Sequence, residues 1–159
     1  KMPVTIEMID VRAVVDEVLA ELDPLVARSG LTVDFVVEKK LPCIKSDRQK
    51  VKQIVLNLMS NALKFTRQGS VQASASFDDD SVFVAVTAPG HGLAPSDQER
   101  IFEDFRQAGD TFARHGGTGL GLAICRRLAK MLDGAIGLES AVGQGSTFTL
   151  YLPRKGPKR

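Results

Sequence analysis

Asn57, Asn61 and Lys64 recur at helical spacing within "VKQIVLNLMSNALKFT", and four glycines, Gly116, Gly117, Gly119 and Gly121, crowd into "GGTGLGL". An amide oxygen is a hard ligand suited to Mg2+. An ammonium meets a phosphate as a point charge. Glycines at the start of a helix let a ligand approach free N–H groups, and the helix dipole favours an anion there. Together these groups suit a polyphosphate and its metal. A third stretch, "VFVAVTAPGHGLAP", runs an alternating strand into Ala88-Pro89-Gly90-His91-Gly92. His91 and His115 are the two histidines. They lie apart and have no cysteine cluster beside them, so a histidine metal site is not indicated, and His91 is read as turn-exposed.

These residues need elements to hold them. The pattern predicts a strand over Val4–Val11, then a helix over "RAVVDEVLAELDPLVARSG" that stops at Gly30, a C-cap signal. "LTVDFVVE" alternates as a strand. The longest helical pattern is "SDRQKVKQIVLNLMSNALKFTRQG", with Ser46 or Asp47 as cap and Gly69 at its close. At ~100° per residue, Val51, Ile54, Val55, Leu58 and Ala62 fall in one arc that Leu56, Met59 and Leu63 widen. The remaining strip holds Gln53, Asn57, Ser60, Asn61 and Lys64. Two readings of it stand open, a solvated helix face and the wall of a pocket. Asparagine is a poor helix former, which speaks for the pocket.

"SVQASASF" and "SVFVAVT" form a hairpin around Asp78–Asp80. A short helix is expected near Pro95–Phe102, then a polar loop, then a helix from "TGLGLAICRRLAKMLDG" ending at Gly134. "AIGLES" and "STFTLYLP" close the chain as strands, with "GQGSTF" read as a hairpin turn. Two hairpins among alternating helices predict a mixed or antiparallel sheet with helices on one face.

Length and composition set the limits. The chain has 159 residues, 43% hydrophobic and 25% charged, which reads as one globular domain. The formal charge of +2 gives no ground for a nucleic-acid or membrane-surface partner, and much of the excess sits in "PRKGPKR". Residues 1–153 are read as the domain and 154–159 as a basic tail or linker. No apolar run reaches the ~18 residues of a span. Cys43 and Cys125 are read as buried free thiols in a reducing, cytoplasmic setting. The abrupt start at Lys1 reads as a piece of a longer protein.

In their order, these pieces resemble the catalytic and ATP-binding domain of bacterial sensor histidine kinases. That superfamily also holds gyrase-type topoisomerases, a heat-shock chaperone and mismatch-repair ATPases. "DRQKVKQIVLNLMSNALKFT" resembles its asparagine box, "IFEDFRQ" its phenylalanine box with Phe105, and "RHGGTGLGLAI" its later glycine box. "GQGSTFTLYLP" resembles the way the domain ends. The resemblance implies an α/β sandwich of the Bergerat type, a mixed, mostly antiparallel sheet covered on one face by about three helices.

Carried onto this chain, it implies ATP and Mg2+ as cofactors. Asn61 would ligate Mg2+, Asn57 would support the phosphates, and Lys64 would approach them. Residues 106–117 would form a lid, with Arg114 and His115 near the triphosphate. Gly117, Thr118, Gly119, Leu120 and Gly121 would cradle it. Hydrolysing relatives carry a glutamate where Asn57 stands, and an amide is no general base. The implied reaction is therefore transfer of the γ-phosphate to a protein histidine.

The family motif Asp-x-Gly-x-Gly becomes Ala88-Pro89-Gly90-His91-Gly92. Gly90 and Gly92 keep the glycine positions, while the aspartate that accepts from the adenine amino group is Ala88. Nucleotide binding is expected to be weakened, and the rival reading is a regulatory module that no longer uses ATP. The implied partners are the protein's own dimerisation and phosphoacceptor domain and a response regulator, with a homodimeric parent that is either cytoplasmic or membrane-anchored. Neither histidine here sits in the acceptor's helical context, so the isolated chain is not expected to phosphorylate itself.

Overall fold

The structure, a computed structural model, describes residues 3–37, 40–66, 69–88, 120–141 and 145–157. In chain order the elements are β1 (Glu7–Ile9), α1 (Val11–Ser29), β2 (Thr32–Val37), β3 (Ile44–Ser46), α2 (Arg48–Phe65), β4 (Ser70–Phe77), β5 (Ser81–Ala88), α3 (Leu120–Met131), β6 (Ala135–Ala141) and β7 (Gly145–Pro153). The short helix expected near Pro95–Phe102 and the lid over 106–117 lie outside the described residues.

Among the described residues, five strands form a sheet in the order β2-β4-β5-β7-β6. Only β2 and β4 run parallel; the other neighbours are antiparallel. The parallel pair needs a crossover, and β3 with α2 supplies it. The strands alternate between two faces. Val71, Ala73 and Ala75 of β4, Val82, Val84 and Val86 of β5, and Leu150 and Leu152 of β7 are buried in one core with α1, α2 and α3. The opposite face carries small polar residues such as Ser74, Thr87 and Thr147. It also carries Phe83 edge-on to Tyr151, with ring centres 5.3 Å apart. The expected sandwich of a mixed sheet with three helices on one face is what forms.

Local chemistry sets most boundaries. The expected first strand shortens to Glu7–Ile9 because the Asp10 side chain accepts from Arg12 N and caps α1. Gly30, at φ 75°, ends α1 in the left-handed region that glycine favours. Asp47, not Ser46, caps α2. That helix stops at Phe65 rather than running to Gly69, because Thr66 is extended while its N–H still reaches Ala62 O. Asp78 Oδ1 accepts from Asp80 N and Ser81 N, 2.8 Å each, and turns the β4–β5 hairpin. β3 is an element the sequence did not announce. It pairs antiparallel with β1 in a separate two-stranded sheet.

Two residues beyond β7, Arg154 and Gly156, are tied into the fold. Arg154 N donates to Asp80 O, its Nη1 donates to Asp78 O, and its guanidinium lies over Phe77. Gly156, at φ 86°, passes so close to Lys45 O that a Cβ would lie 2.5 Å from it.

Several groups anchor the start of α2. Asp47, 4% exposed, accepts from Thr5 N at 2.8 Å, from Lys50 N at 3.2 Å and from Lys50 Nζ at 3.2 Å. Burial alone would raise its pKa. The Thr5 and Lys50 N–H groups and the Lys50 ammonium outweigh burial and hold it below the ordinary 3.8. A depressed carboxyl stabilises the fold above its unfolded pKa, and that contribution fades as pH falls through the lowered value. Asp47→Asn is therefore expected to flatten the acid limb of the stability–pH curve below about pH 4. Asp47→Ala should cost about 1–2 kcal/mol at neutral pH. Urea titrations at pH 7 and pH 3 check both. On the outer side, Glu17 of α1 pairs with Arg48 at 2.6 Å and Lys52 at 2.8 Å, and Glu21 pairs with Lys52.

Candidate functional site

α2 sets the polar strip at an angle to the core. Gln53 and Lys64 are exposed, Asn57 and Ser60 are half-buried, and Asn61 is 7% exposed. That gradient shows that the strip is not uniformly solvated. A solvated helix face does not bury an asparagine in its middle, so the strip descends into the molecule at Asn61.

The hydrogen bonds there are directional. Asn61 Nδ2 donates to the main-chain oxygen of Asn57 at 2.9 Å. No donor among the described residues takes Asn61 Oδ1, so this amide offers an oxygen. Gln53 Nε2 donates to Asn57 Oδ1 at 3.1 Å, one turn earlier. Lys64 stands in the last turn of α2 with no salt bridge among the described residues. An amide oxygen beside a lysine suits a cation held against an anion. The described residues contain no cluster of three or more His, Cys, Asp or Glu that would hold a metal unaided.

α3 packs along α2. Leu122, Cys125, Leu128 and Ala129 are buried, while Arg126, Arg127 and Lys130 are exposed. Leu120 and Gly121 form its first turn, so part of the predicted glycine cradle opens a helix that packs on α2. The Cys125 thiol is fully buried, donates to Ile54 O at 3.7 Å, and is hydrogen-bonded by the Asn57 side chain. Burial pushes its pKa up to about 12, and the Asn57 bond offsets part of that rise. Cys43, expected to be buried, is exposed instead, because it lies beside the short β3 rather than in the helix-covered core. Native protein should thus titrate one thiol with a disulfide reagent, and denatured protein two. Fast modification of both in the native state would contradict the buried position of Cys125.

Ala88 ends β5. It is 9% exposed, faces the core side with Val84 and Val86, and pairs in register with Ser146 of β7. Beside it, the Thr87 and Thr147 hydroxyls share a 3.0 Å hydrogen bond. The described structure offers no carboxylate at this strand end. Gly90, Gly92, Phe105, Arg114, His115, Gly117, Thr118 and Gly119 lie outside the described residues. The structure thus places Asn57, Asn61 and Lys64 along one stretch of α2, with Cys125 of α3 against Ile54 and Asn57. The contribution of Cys125 had no sequence signal; the i, i+4 spacing of Gln53 and Asn57 did signal their contact.

Residues 46–156 match the family described as histidine kinase-, DNA gyrase B-, and HSP90-like ATPase. The chain belongs to this family. The match spans α2, the whole of α3 and four of the five strands of the main sheet. Relatives and solved structures narrow the family further. Sensor histidine kinase RcsC of Escherichia coli strain K12 is 37% identical over 147 residues, which cover 91% of this chain and 16% of RcsC. Full-length ShkA, crystallised in complex with AMPPNP, superposes with a TM-score of 0.85 at 33% identity, over 99% of this chain and 33% of ShkA. The nucleotide-free catalytic domain of histidine kinase ThkA superposes at 0.83 with 24% identity, over 95% of this chain and 99% of that domain, and shows the fold. The chain is an ATP-binding catalytic domain of sensor histidine kinase type, and it spans only a small part of its longer relatives. Among the described residues, no helix is long and apolar enough to cross a membrane.

Proposed function

We propose that the chain holds the triphosphate of ATP, with Mg2+, between α2 and the first turn of α3, for transfer of the γ-phosphate to a histidine on a separate phosphoacceptor domain. The observation that carries this reading is Asn61, buried in a polar strip with its nitrogen used and no donor on its oxygen among the described residues. Asn61 Oδ1 is the Mg2+ ligand, Asn57 supports the phosphates and Lys64 adds positive charge. Arg114, His115, Gly117, Thr118, Gly119, Leu120 and Gly121 complete the phosphate side, with Phe105 nearby. When bound, Mg2+ neutralises triphosphate charge. The histidine nitrogen bonds the γ-phosphorus, the bond to the β-bridging oxygen breaks, ADP leaves with that electron pair, and the imidazole N–H proton passes to solvent. Asn57 is an amide and activates no water, which favours transfer over hydrolysis. The partners are the phosphoacceptor domain and a response regulator, within a homodimeric parent.

At the base end, Ala88, Gly90 and Gly92 provide no carboxylate to accept from an adenine amino group. This favours weak, poorly discriminating nucleotide binding. It also favours a second reading, a regulatory module that docks to its partners without using ATP. Calorimetric titration of this chain with ATP and with GTP, each with Mg2+, separates the two. The kinase reading expects weak binding of both, within a few fold of each other. Absence of binding by either at millimolar concentration would establish the regulatory reading instead.

A further inference from the structure

β3 is short, yet it is held on both edges. Along one edge it pairs with β1, and Met8 stands opposite Lys45. In an antiparallel ladder the N–H groups of a strand alternate between its two edges. Lys45 N–H points to the other edge, where it donates to Arg154 O at 3.3 Å. Lys45 O lies against Gly156 on the same segment, and a Cβ on Gly156 would stand 2.5 Å from that oxygen. Glycine alone fits there without a shift, and its φ of 86° is one that glycine favours. Gly156 N donates to Pro153 O at 3.2 Å, so a turn over residues 153–156 lays this segment along β3.

The first described residues reach the same place. Thr5 N donates to Asp47 Oδ2 at 2.8 Å, and Lys50 Nζ donates to Pro3 O at 2.6 Å. Asp47 directly follows β3 and caps α2, and Lys50 lies in the first turn of that helix. Residues 3–9, residues 153–156 and the start of α2 therefore meet around Ile44, Lys45 and Ser46. α2 is also the helix that carries Asn57, Asn61 and Lys64.

We propose that β3 is a junction that couples residues 3–9 to residues 153–156, and both to the N-cap of α2, so that displacing either segment loosens the helix that holds the candidate site. The segment that reads in the sequence as a basic tail is thus one arm of a conformational device. A coupling of this kind is reciprocal. It rests on the hydrogen bonds of β3 and Asp47 and on the close approach of Gly156; its bearing on nucleotide rests on the function proposed above.

The test uses Gly156→Ala and Arg154→Ala in this chain. Gly156→Ala sets a methyl group against Lys45 O and lifts the segment from β3, while β1 and Asp47 stay chemically unaltered. Arg154→Ala is the control. It removes the contacts of the side chain with Asp78 O and Phe77 and keeps the main-chain oxygen that Lys45 uses. Amide hydrogen exchange, followed by NMR, reads the result. In Gly156→Ala, exchange is expected to speed up about tenfold at Lys45 and at least about threefold at Thr5 and Lys50, with Val84 and Leu150 of the main sheet unchanged. In Arg154→Ala the amides of Lys45, Thr5 and Lys50 should keep wild-type rates. In the reverse direction, Asp47→Ala should speed exchange at Lys45, although no hydrogen bond joins those two residues. Affinity for Mg·AMPPNP should fall about twofold to fivefold in Gly156→Ala and stay unchanged in Arg154→Ala. Faster exchange confined to Lys45, or a rise of equal size across the main sheet, would overturn the proposal. So would an unchanged affinity beside a loosened Thr5. If the wild type binds no nucleotide, the function proposed above falls, and the exchange rates at Thr5 and Lys50 still decide the coupling.

Discussion

Ala88→Asp is expected to bind Mg·ATP at least tenfold more tightly than the parent chain, with no comparable gain for GTP. A hydrogen bond to a charged group contributes about 1.5–3 kcal/mol, and each 1.4 kcal/mol is about a decade of affinity. A carboxylate can accept from the exocyclic amine of adenine; the same position on guanine is a carbonyl, with which a carboxylate clashes electrostatically. The side chain at 88 points from the end of β5 towards the core and is 9% exposed. The same burial gives the substitution a second signature. Without ligand, a carboxylate there lacks a cationic partner among the described residues, and desolvation raises its pKa. An acid with a raised folded pKa destabilises in its charged form, so the variant's deficit in stability should grow as pH rises through the unfolded carboxyl range. Saturating ATP should recover part of it. Calorimetry and thermal melts at pH 5 and pH 8 read both effects. An ATP affinity unchanged by the substitution would sink the account of Ala88.

Asn61→Ala should give the second large effect. It removes the offered oxygen and the 2.9 Å bond to Asn57 O together. In Mg2+, nucleotide affinity is expected to drop at least tenfold, from loss of a ligand to a charged centre. In EDTA the variant and parent should differ by much less, because the oxygen then has no cation to meet. Stability should fall only by about 1 kcal/mol, the ordinary net worth of one hydrogen bond. Titrations with and without Mg2+ make the comparison. Equal losses in both buffers would mean that Asn61 shapes the helix rather than serving a metal.

What the residues disclosed in advance was local. The period of α2 exposed the strip from Gln53 to Lys64 without any knowledge of its surroundings. The glycine after α1 and the aspartates at 78–80 announced their turns through side-chain and backbone chemistry confined to a few neighbours. The mixed sheet followed from two hairpins embedded among helices. What stayed hidden was non-local. β3 is three residues long, too short to show a period, and exists because β1 lies beside it. Arg154 reads as part of a basic tail until the β4–β5 turn supplies carbonyls for it. The strip's depth at Asn61 depends on what covers α2, and the bond between Cys125 and Asn57 joins residues 68 apart in the chain.

The central ladder between β5 and β7 joins two hairpins that are each closed locally, β4–β5 and β6–β7. Among the described residues, the chain leaves this seam at Ala88 and the next strand of the sheet begins at Ala135. The entropy lost in closing such a long excursion grows only logarithmically, with about 0.6 kcal/mol for a doubling of length. For the closure of the β5–β7 ladder, the number of residues between these two strands therefore counts for little. Lineages carrying this architecture can change the length of chain between the two zipped halves, where most of the residues assigned to the nucleotide lie, at little cost in closure.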